Sequence, residues 1–505
     1  MGHEPNDATT EATNMTNMTT GTQNTTTETT ATATAHGVFS PGLRGFTIGI
    51  LLSVGAVAFE SLGVATILPV VATDLDGLSG YGWGLSALML ANIVGTVIAG
   101  TDIDRRGPGR TVLVGSVVFA VGCLIAGLAP DWGVFIAARA VQGLGVGAIM
   151  AAAYSLVGIA YPPKLQAVMF AFLSSAWTIP SLVGPVLAGI ITSMADWRVV
   201  FWAIAPLPLV LLPLVLPGAR RASRRSVEPV AGRRGVLAPV WFSIVLAAAT
   251  CAVLFGLELD ALPLLAVVVV IGLAAALVSL GRIVPTGTLR AVPGAPAGIV
   301  LRFLLCAVYF GSEAFLPLGL TSIHGLDVTL AGLGLAAGAL AWTAGSFLQA
   351  RVDAARPGLR VRSTMIGFLV LLLGELVMGA AVAVPSIWAG WAVIAWTVAG
   401  VGMGVAFNAA TSATMAATAL EHAGRMSASL QLAQTLATAV IAGVGGAIIA
   451  RIGATTPAFL GVFGLTALLG AFGAILARRL SETPRALAST PRSPEAEGSR
   501  SDDRP

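Results

Sequence analysis

Glu60, Glu313 and Glu375 each stand inside a long apolar stretch, where no bulk water is on hand to solvate a carboxylate. Holding an ionised acid in such surroundings is costly, so each must face a cavity, find a partner or bind a proton. Proton exchange and capture of a cation are the two chemistries these residues offer. Arg139 stands three residues before Gln142 in another apolar stretch, with glycines at 143, 145 and 147 that let a neighbouring helix come close. Asn408, Gln431 and Gln434 add hydrogen-bonding amides that serve equally to glue helices or to touch a substrate. Plainer readings stand beside these: Glu60 or Glu375 as a permanently protonated acid satisfied by a neighbouring helix, and Arg139 as a side chain snorkelling to an interface.

The elements that carry these residues follow from composition. Of 505 residues, 56% are hydrophobic and only 10% charged, and the mean hydropathy is +0.87. A soluble domain carries about a quarter charged residues, so this is a polytopic membrane protein. The net charge of +4 is small and the basic residues are scattered through loops, which excludes a nucleic-acid surface. Cys123, Cys251 and Cys306 fall inside apolar runs and the four histidines in a tail or loops, without metal-ligand or catalytic spacing. No metal or cofactor is expected, and an integral membrane enzyme is the least favoured class.

Fourteen runs approach membrane-spanning length, at about 45–70, 82–101, 111–129, 133–158, 166–193, 199–217, 236–257, 261–281, 298–321, 328–350, 364–384, 387–416, 426–450 and 456–477. Kinks are expected at glycines in the longer runs, such as 387–416. With the N-terminus inside, 24 of the 28 basic residues fall in cytoplasmic segments and only Arg198 and Arg451 outside, so both termini are expected in the cytoplasm of a plasma (inner) membrane protein. The organisation expected is a disordered Thr/Asn-rich tail (1–44), a six-helix bundle (45–217), a basic loop (218–235), two extra helices and a linker (236–297), a second six-helix bundle (298–477) and a disordered tail (478–505). Glu60 and Glu313 then sit at matching depth in matching helices, as an internal repeat requires. Arg139 lies roughly 12 Å below the outer end of its helix and Glu60 roughly 15–21 Å below that of its own, which allows a contact. Arg302, near the inner end of the ninth run, is expected to snorkel.

Three stretches resemble signatures of the major facilitator superfamily. Gly100-Thr-Asp-Ile-Asp104-Arg105-Arg-Gly107-Pro-Gly-Arg110 resembles the cytoplasmic loop motif A, with Pro108-Gly109 inserted before the basic residue. Arg139-Ala-Val-Gln142-Gly143 resembles motif B. Pro180-Ser-Leu-Val-Gly184-Pro185-Val-Leu-Ala188-Gly189 resembles the antiporter motif C, with Ala188 where glycine is usual. Glu60 nine residues before Pro69, and the Asp196-Trp197-Arg198 loop, are similar to the fourteen-helix drug:proton antiporter branch, while Gly345 to Asp353 is a worn echo of the 100–110 loop.

That resemblance implies an all-α integral membrane fold of two six-helix bundles plus two central helices, working as a proton-coupled multidrug exporter by alternating access. Glu60, Arg139 and Glu313 would couple protons. Glu60, Gln142, Glu313, Glu375, Asn408, Gln431 and Gln434 would line the substrate cavity. Gly100, Asp104, Arg105, Gly107 and Arg110 would form the cytoplasmic gate, with Asp104 and Arg110 holding charges and helix ends together. Pro180 and Pro185 would break backbone hydrogen bonds in the fifth helix, and its small residues, Gly184 and Gly189 among them, would allow tight packing against another helix. The partners expected are a small lipophilic or cationic substrate, protons and membrane lipids, around a monomer. Two other readings remain: an exporter dedicated to one endogenous lipid, siderophore or metabolite, and a membrane sensor or scaffold that no longer transports.

Overall fold

Inside hydrocarbon every backbone amide must bond within the chain, and a helix does this locally. The computed structural model describes residues 37–77, 83–226, 237–259, 261–326 and 328–480. The first bundle holds α1 (Arg44–Asp74), α2 (Trp83–Arg106), α3 (Pro108–Gly127), α4 (Trp132–Ala160), α5 (Pro163–Ser175), α6 (Thr178–Met194), α7 (Trp197–Ile204) and α8 (Leu207–Ser226). Next come the extra pair, α9 (Leu237–Glu258) and α10 (Leu262–Ile283). The second bundle holds α11 (Ala295–Glu313), α12 (Leu316–His324), α13 (Val328–Ala355), α14 (Arg360–Ala383), α15 (Gly390–Ala416), α16 (Ala423–Ile452) and α17 (Thr456–Leu476). Three spans are broken in two: α5 with α6, α7 with α8, and α11 with α12. Among the described residues thirteen spans are long and apolar enough to cross a membrane, and α13, with 28 residues, completes fourteen.

Prolines, rather than the glycines of long runs, set the breaks. A proline at position i removes the bond to the carbonyl at i−4. Pro180 so frees the carbonyl of Ala176, where α5 ends, and Pro317 frees that of Glu313, where α11 ends. The glycine-rich α15 runs unbroken from Gly390 to Ala416. Two further differences concern length: α2 continues to Arg106, and α8 continues to Ser226, so Arg220, Arg221 and Arg224 lie on helix instead of in a loop. Most of the two expected tails, and residues 227–236 of the expected basic loop, lie outside the described residues.

An even number of spans leaves both described ends on one side, here called the terminal face; the other is the far face. Each bundle packs its own apolar core, and the first core takes in Ile299, Met415, Met426 and Leu430 from the second bundle. The extra pair lies over the line where α2 meets α16, through Ile93, Val97, Leu246, Leu432 and Leu436. Arg425 at one end of α16 donates to the carbonyls of Ile283 and Val284, and Arg451 at the other donates to those of Leu257 and Leu259.

The glycines of α4 are spacing devices. A methyl group at Gly145 would lie 2.5 Å from the Phe119 nitrogen, one at Gly147 would lie 2.5 Å from that of Thr96, and one at Gly143 would overlap the Leu88 carbonyl. In this way α4 sits between α2 and α3. At Gly184 of α6 the packing on α1 is ordinary contact, for a methyl there would lie 3.6 Å from the Phe59 ring, 3.8 Å from the Gly63 nitrogen and 3.9 Å from Leu62 Cβ, while one at Gly189 would meet nothing within 4 Å. The close approach there is between Ala188 and Gly63, whose added methyl would lie 3.3 Å from the Ala188 side chain.

On the far face, beyond the apolar stretch that ends at Leu68, Asp74 accepts hydrogen bonds at 3.0 Å from Trp197 Nε1 and at 3.0 Å from Arg198. The Trp197 bond first, and then that from Arg198, hold its carboxyl below the ordinary aspartate value. A carboxyl lowered on folding stabilises fully above its unfolded value and loses that contribution as pH falls through the folded one. Asp74→Asn should therefore leave thermal stability at neutral pH within about 1 kcal/mol, as for exposed pairs, and should flatten the acid limb of a plot of melting temperature against pH. Gly145→Val should cost about 1–3 kcal/mol by overpacking, read as a lower melting temperature in detergent, while Gly189→Ala leaves it unchanged.

Candidate functional site

Arg139 reaches inward from α4, and three helices answer its guanidinium. Its Nη1 donates to Glu60 of α1 and, at 2.8 Å, to Gln142 Oε1 one turn along α4, while Nε donates to the Gly84 carbonyl of α2 at 3.0 Å. Gln142 then donates to Cys123 Sγ of α3 at 3.2 Å. Glu60 and Gln142 are fully buried and Arg139 is 1% exposed, so the pair is sealed. Arg139 does not snorkel. One acceptor stays unspent, since Glu60 Oε2 has no hydrogen-bond partner. An ion pair held this way is neutral as a unit, and removing either charge leaves the other stranded.

The second bundle places its acids differently. Glu375 on α14 is fully buried, with the hydroxyl of Ser312 and, at 2.7 Å, that of Thr466 bonded to Oε1. Its Oε2 has no partner. Glu313 follows Ser312 at the very end of α11, half-buried beside the break. Glu313 and Glu375 are thus brought to one level of the bundle, with neutral groups where Glu60 has a cation.

The two bundles meet toward the terminal face along three contacts. On one side Asp104, at the end of α2, accepts from the backbone nitrogens of Gly424 at 2.8 Å and Arg425 at 3.1 Å. It caps α16 from the opposite bundle, where unpaired N–H groups and the helix dipole favour a carboxylate. His422, the residue that precedes α16, gives no side-chain cap. Gly100 makes the approach possible, for a methyl there would lie 2.5 Å from Ala428 Cβ. Arg105 lines the cleft between these helices and the extra pair. Arg110 does not share the Asp104 role expected for it: it lies 3.7 Å from Asp102, as Arg106 does at 3.6 Å, because residues two apart on α2 point to different faces. Gly107 takes φ +78° to turn the chain into α3, a conformation that favours glycine.

On the other side α5 and α6 meet α13. Phe172 and Phe347 pack edge to face at 4.9 Å, and the hydroxyls of Thr178 and Thr343 lie 2.6 Å apart. Asn408 spends its amide on the carbonyls of Ala167 at 3.0 Å and Ser346 at 3.2 Å, which makes it a clamp between bundles in this conformation. The third contact corrects an expectation. Arg302 is 1% exposed and does not snorkel; it donates to Thr411 at 2.8 Å and Gln431 at 3.4 Å and lies over the rings of Phe407 and Tyr154. Gln434, half-buried, keeps its Oε1 without a partner. Asp353 and Arg360 close the hairpin after α13 with a pair at 2.6 and 2.8 Å.

Sequence reasoning missed Tyr154, Phe172, Phe347, Phe407, Thr411 and the second role of Arg425. Their types are ordinary in membrane helices, and only pairing across the bundles distinguishes them. For Arg425 the available signal was its place in the first turn of a helix.

A model of the Major Facilitator Superfamily matches residues 48–311. The chain is 25% identical over 468 residues to a probable multidrug-efflux transporter of Mycobacterium tuberculosis, covering 87% of this chain and 95% of that protein. It is 29% identical over 160 residues to multidrug resistance protein 3 of Bacillus subtilis, covering 32% of this chain and 31% of that one. Among solved structures it resembles the human organic anion transporter TETRAN, with TM-score 0.65 and 13% identity over 86% of this chain and 99% of that one. A proton:xylose symporter gives TM-score 0.63 and 15% identity, over 86% and 95% of the two chains. At these identities the two structures speak for the fold alone.

Removing the carboxylate that caps α16 should be legible without any transport assay. Asp104→Ala should raise hydrogen–deuterium exchange at Gly424 and Arg425 by about 10- to 100-fold, as expected for loss of charge-assisted hydrogen bonds. Exchange unchanged at those two amides would mean that Asp104 does not hold this seam.

Proposed function

Because the chain belongs to the Major Facilitator Superfamily, we propose that this multi-pass membrane protein is a proton-coupled exporter of small lipophilic or cationic compounds. Its place is the fourteen-helix drug:proton antiporter branch, in the plasma membrane, as a monomer with the terminal face in the cytoplasm. The bias of basic residues toward that face supports the orientation, and the likeness to multidrug-efflux proteins supports the substrate class.

The observation that carries the reading is the sealed Glu60–Arg139 pair. Two bundles rock about a shared centre, and the conformation described here is the one closed on the cytoplasmic side by Asp104, Asn408 and the Phe172–Phe347 contact. A proton arriving from outside neutralises Glu60 and leaves Arg139 with Gln142 and the Gly84 carbonyl. Breaking a buried pair costs about 3–5 kcal/mol, so protonation shifts the balance between conformations that hold the pair differently. Release of the proton to the cytoplasm reforms the pair and resets the cycle. Glu313, half-buried at the helix break, offers a carboxylate to a cationic substrate or a second proton, and Glu375 supports it through Ser312. Substrate and proton compete for the same charge, which couples their movements.

The test is substrate-induced proton movement in proteoliposomes carrying a pH gradient, with several unrelated lipophilic cations as probes. Glu60→Gln should abolish the coupled signal and lower the melting temperature, because it strands the Arg139 charge, while far-UV circular dichroism and monodisperse elution show the protein still folded. Coupling retained in Glu60→Gln removes Glu60 from the mechanism, and silence of the folded wild type across the panel removes the multidrug reading.

A further inference from the structure

We propose that Arg302 is an anion-recognition residue in the transport path, and that the compounds this protein handles include flat aromatic amphiphiles bearing a carboxylate or sulfonate. The proposal rests on the exporter reading above and sharpens its substrate class.

Arg139 and Arg302 are both 1% exposed, yet among the described residues only Arg139 has an acid within ion-pair distance. Arg139 is paired with Glu60. The partners of Arg302 are the neutral Thr411 and Gln431 and the faces of Phe407, at 3.5 Å from the guanidinium carbon, and Tyr154, at 5.2 Å. Its Nε is buried with no hydrogen-bond partner. A buried cation without a counter-ion is an expensive feature of a membrane helix, and it is as a rule functional. Cation–π contact offsets part of that cost but leaves the charge uncancelled.

Location says when a counter-ion can arrive. Phe407, Thr411 and Gln431 belong to the second bundle, as Arg302 does, and Tyr154 belongs to the first. Separation of the bundles at the terminal face takes the Tyr154 ring away and turns the guanidinium toward whatever enters the opened space. A planar guanidinium matches an oxyanion with two parallel N–H donors.

What lies beyond Arg302 gives the rest of the ligand. The Trp342 ring lies 5.2 Å from that of Phe407, 5.6 Å from that of Phe310 and 5.1 Å from that of Tyr309. This ladder follows α11 for three turns, roughly 16 Å, from Arg302 to Glu313 on the same helix face. Trp342 Nε1 and Tyr309 Oη are buried donors without partners. Ring faces, unspent donors and one cation suit an aromatic acid. Glu313 at the far end of the ladder also admits a compound that carries an amine as well.

The experiment measures binding to the purified full-length protein for three matched probes: naphthalene-2-sulfonate, the neutral naphthalene-2-sulfonamide and a naphthylmethyl trimethylammonium ion. Wild type should bind the sulfonate at least about tenfold more tightly than the sulfonamide, the scale of a charge-assisted hydrogen bond. Arg302→Gln should erase that preference and leave the ammonium probe unchanged, while Arg302→Lys, which keeps the charge, retains part of it. Equal binding of sulfonate and sulfonamide by wild type overturns the proposal. So does a uniform loss for all three probes in folded Arg302→Gln, which would assign Arg302 to closing the seam. Proton movement driven by the ammonium probe separates the two readings: coupling without sulfonate preference defeats this proposal and spares the exporter, whereas sulfonate preference without coupling does the reverse.

Discussion

A charge inside the membrane must be answered by another group at the same depth, and the first bundle is arranged around that demand. Arg139 takes an acceptor from α1, one from α2 and one from its own helix, and Gln142 passes the network on to α3. For those groups to converge, α4 must come within backbone distance of both neighbours, which is what its glycines at 143, 145 and 147 permit. Ion pair and glycine ladder are therefore one feature. The ladder brings the acceptors in, and the pair fixes the register in which α4 settles. The second bundle meets the same demand with hydroxyls around Glu375, an arrangement that serves a neutral acid as readily as a charged one.

Closure at the terminal face uses a different principle. The three contacts described at this seam each reach a neutral group across it. Asp104 spends its charge on the backbone amides of α16, Asn408 bonds backbone carbonyls, and Arg302 meets the first bundle through the face of an aromatic ring. Such contacts hold while the bundles are together and strand less charge when they part, because amides, carbonyls and rings are readily satisfied by water. A salt bridge between side chains would bind the closed state more tightly and leave two bare charges on opening.

Much of this was legible in the sequence, and the failures have physical causes. Helix number follows from hydropathy, and the rise of a helix allowed the contact between Glu60 and Arg139 that the structure makes. The break beside Pro180 was legible in its missing hydrogen bond, the one before Pro317 was equally readable but not drawn, and the kink attached to the glycines of 387–416 does not interrupt α15. Glycine in a packed membrane helix marks a close neighbour more than a bend, as Gly402 of the unbroken α15 shows with its methyl position 2.4 Å from the Leu371 nitrogen. Arg302 was misread because nearness to a helix end suggests an exit to water, whereas the neighbouring α15 and α16 cover it. Asp102 and Asp104 show the same limit at finer grain. The loop motif marks both as charged gate residues, and only the facing of α2 sends one to the arginines of its own hairpin and the other across the seam.

The extra pair of helices is bonded to the second bundle at both ends of α16, where Arg425 and Arg451 reach the carbonyls at the ends of α10 and α9. Carbonyls at a helix C-terminus lack intrahelical partners and carry the negative end of the dipole, so an arginine there satisfies two requirements at once. Toward the first bundle the pair offers apolar side chains, with Leu246 packed among Ile93 and Val97 of α2. The pair is thus bonded directionally to α16 and packed through apolar side chains on both α2 and α16. Arg425 joins this anchor to the seam itself, because its backbone nitrogen bonds Asp104 while its guanidinium holds α10. A movement that withdraws Asp104 from α16 therefore acts on the residue that anchors the extra pair, and the line where α2 leaves α16 is the line that the pair covers.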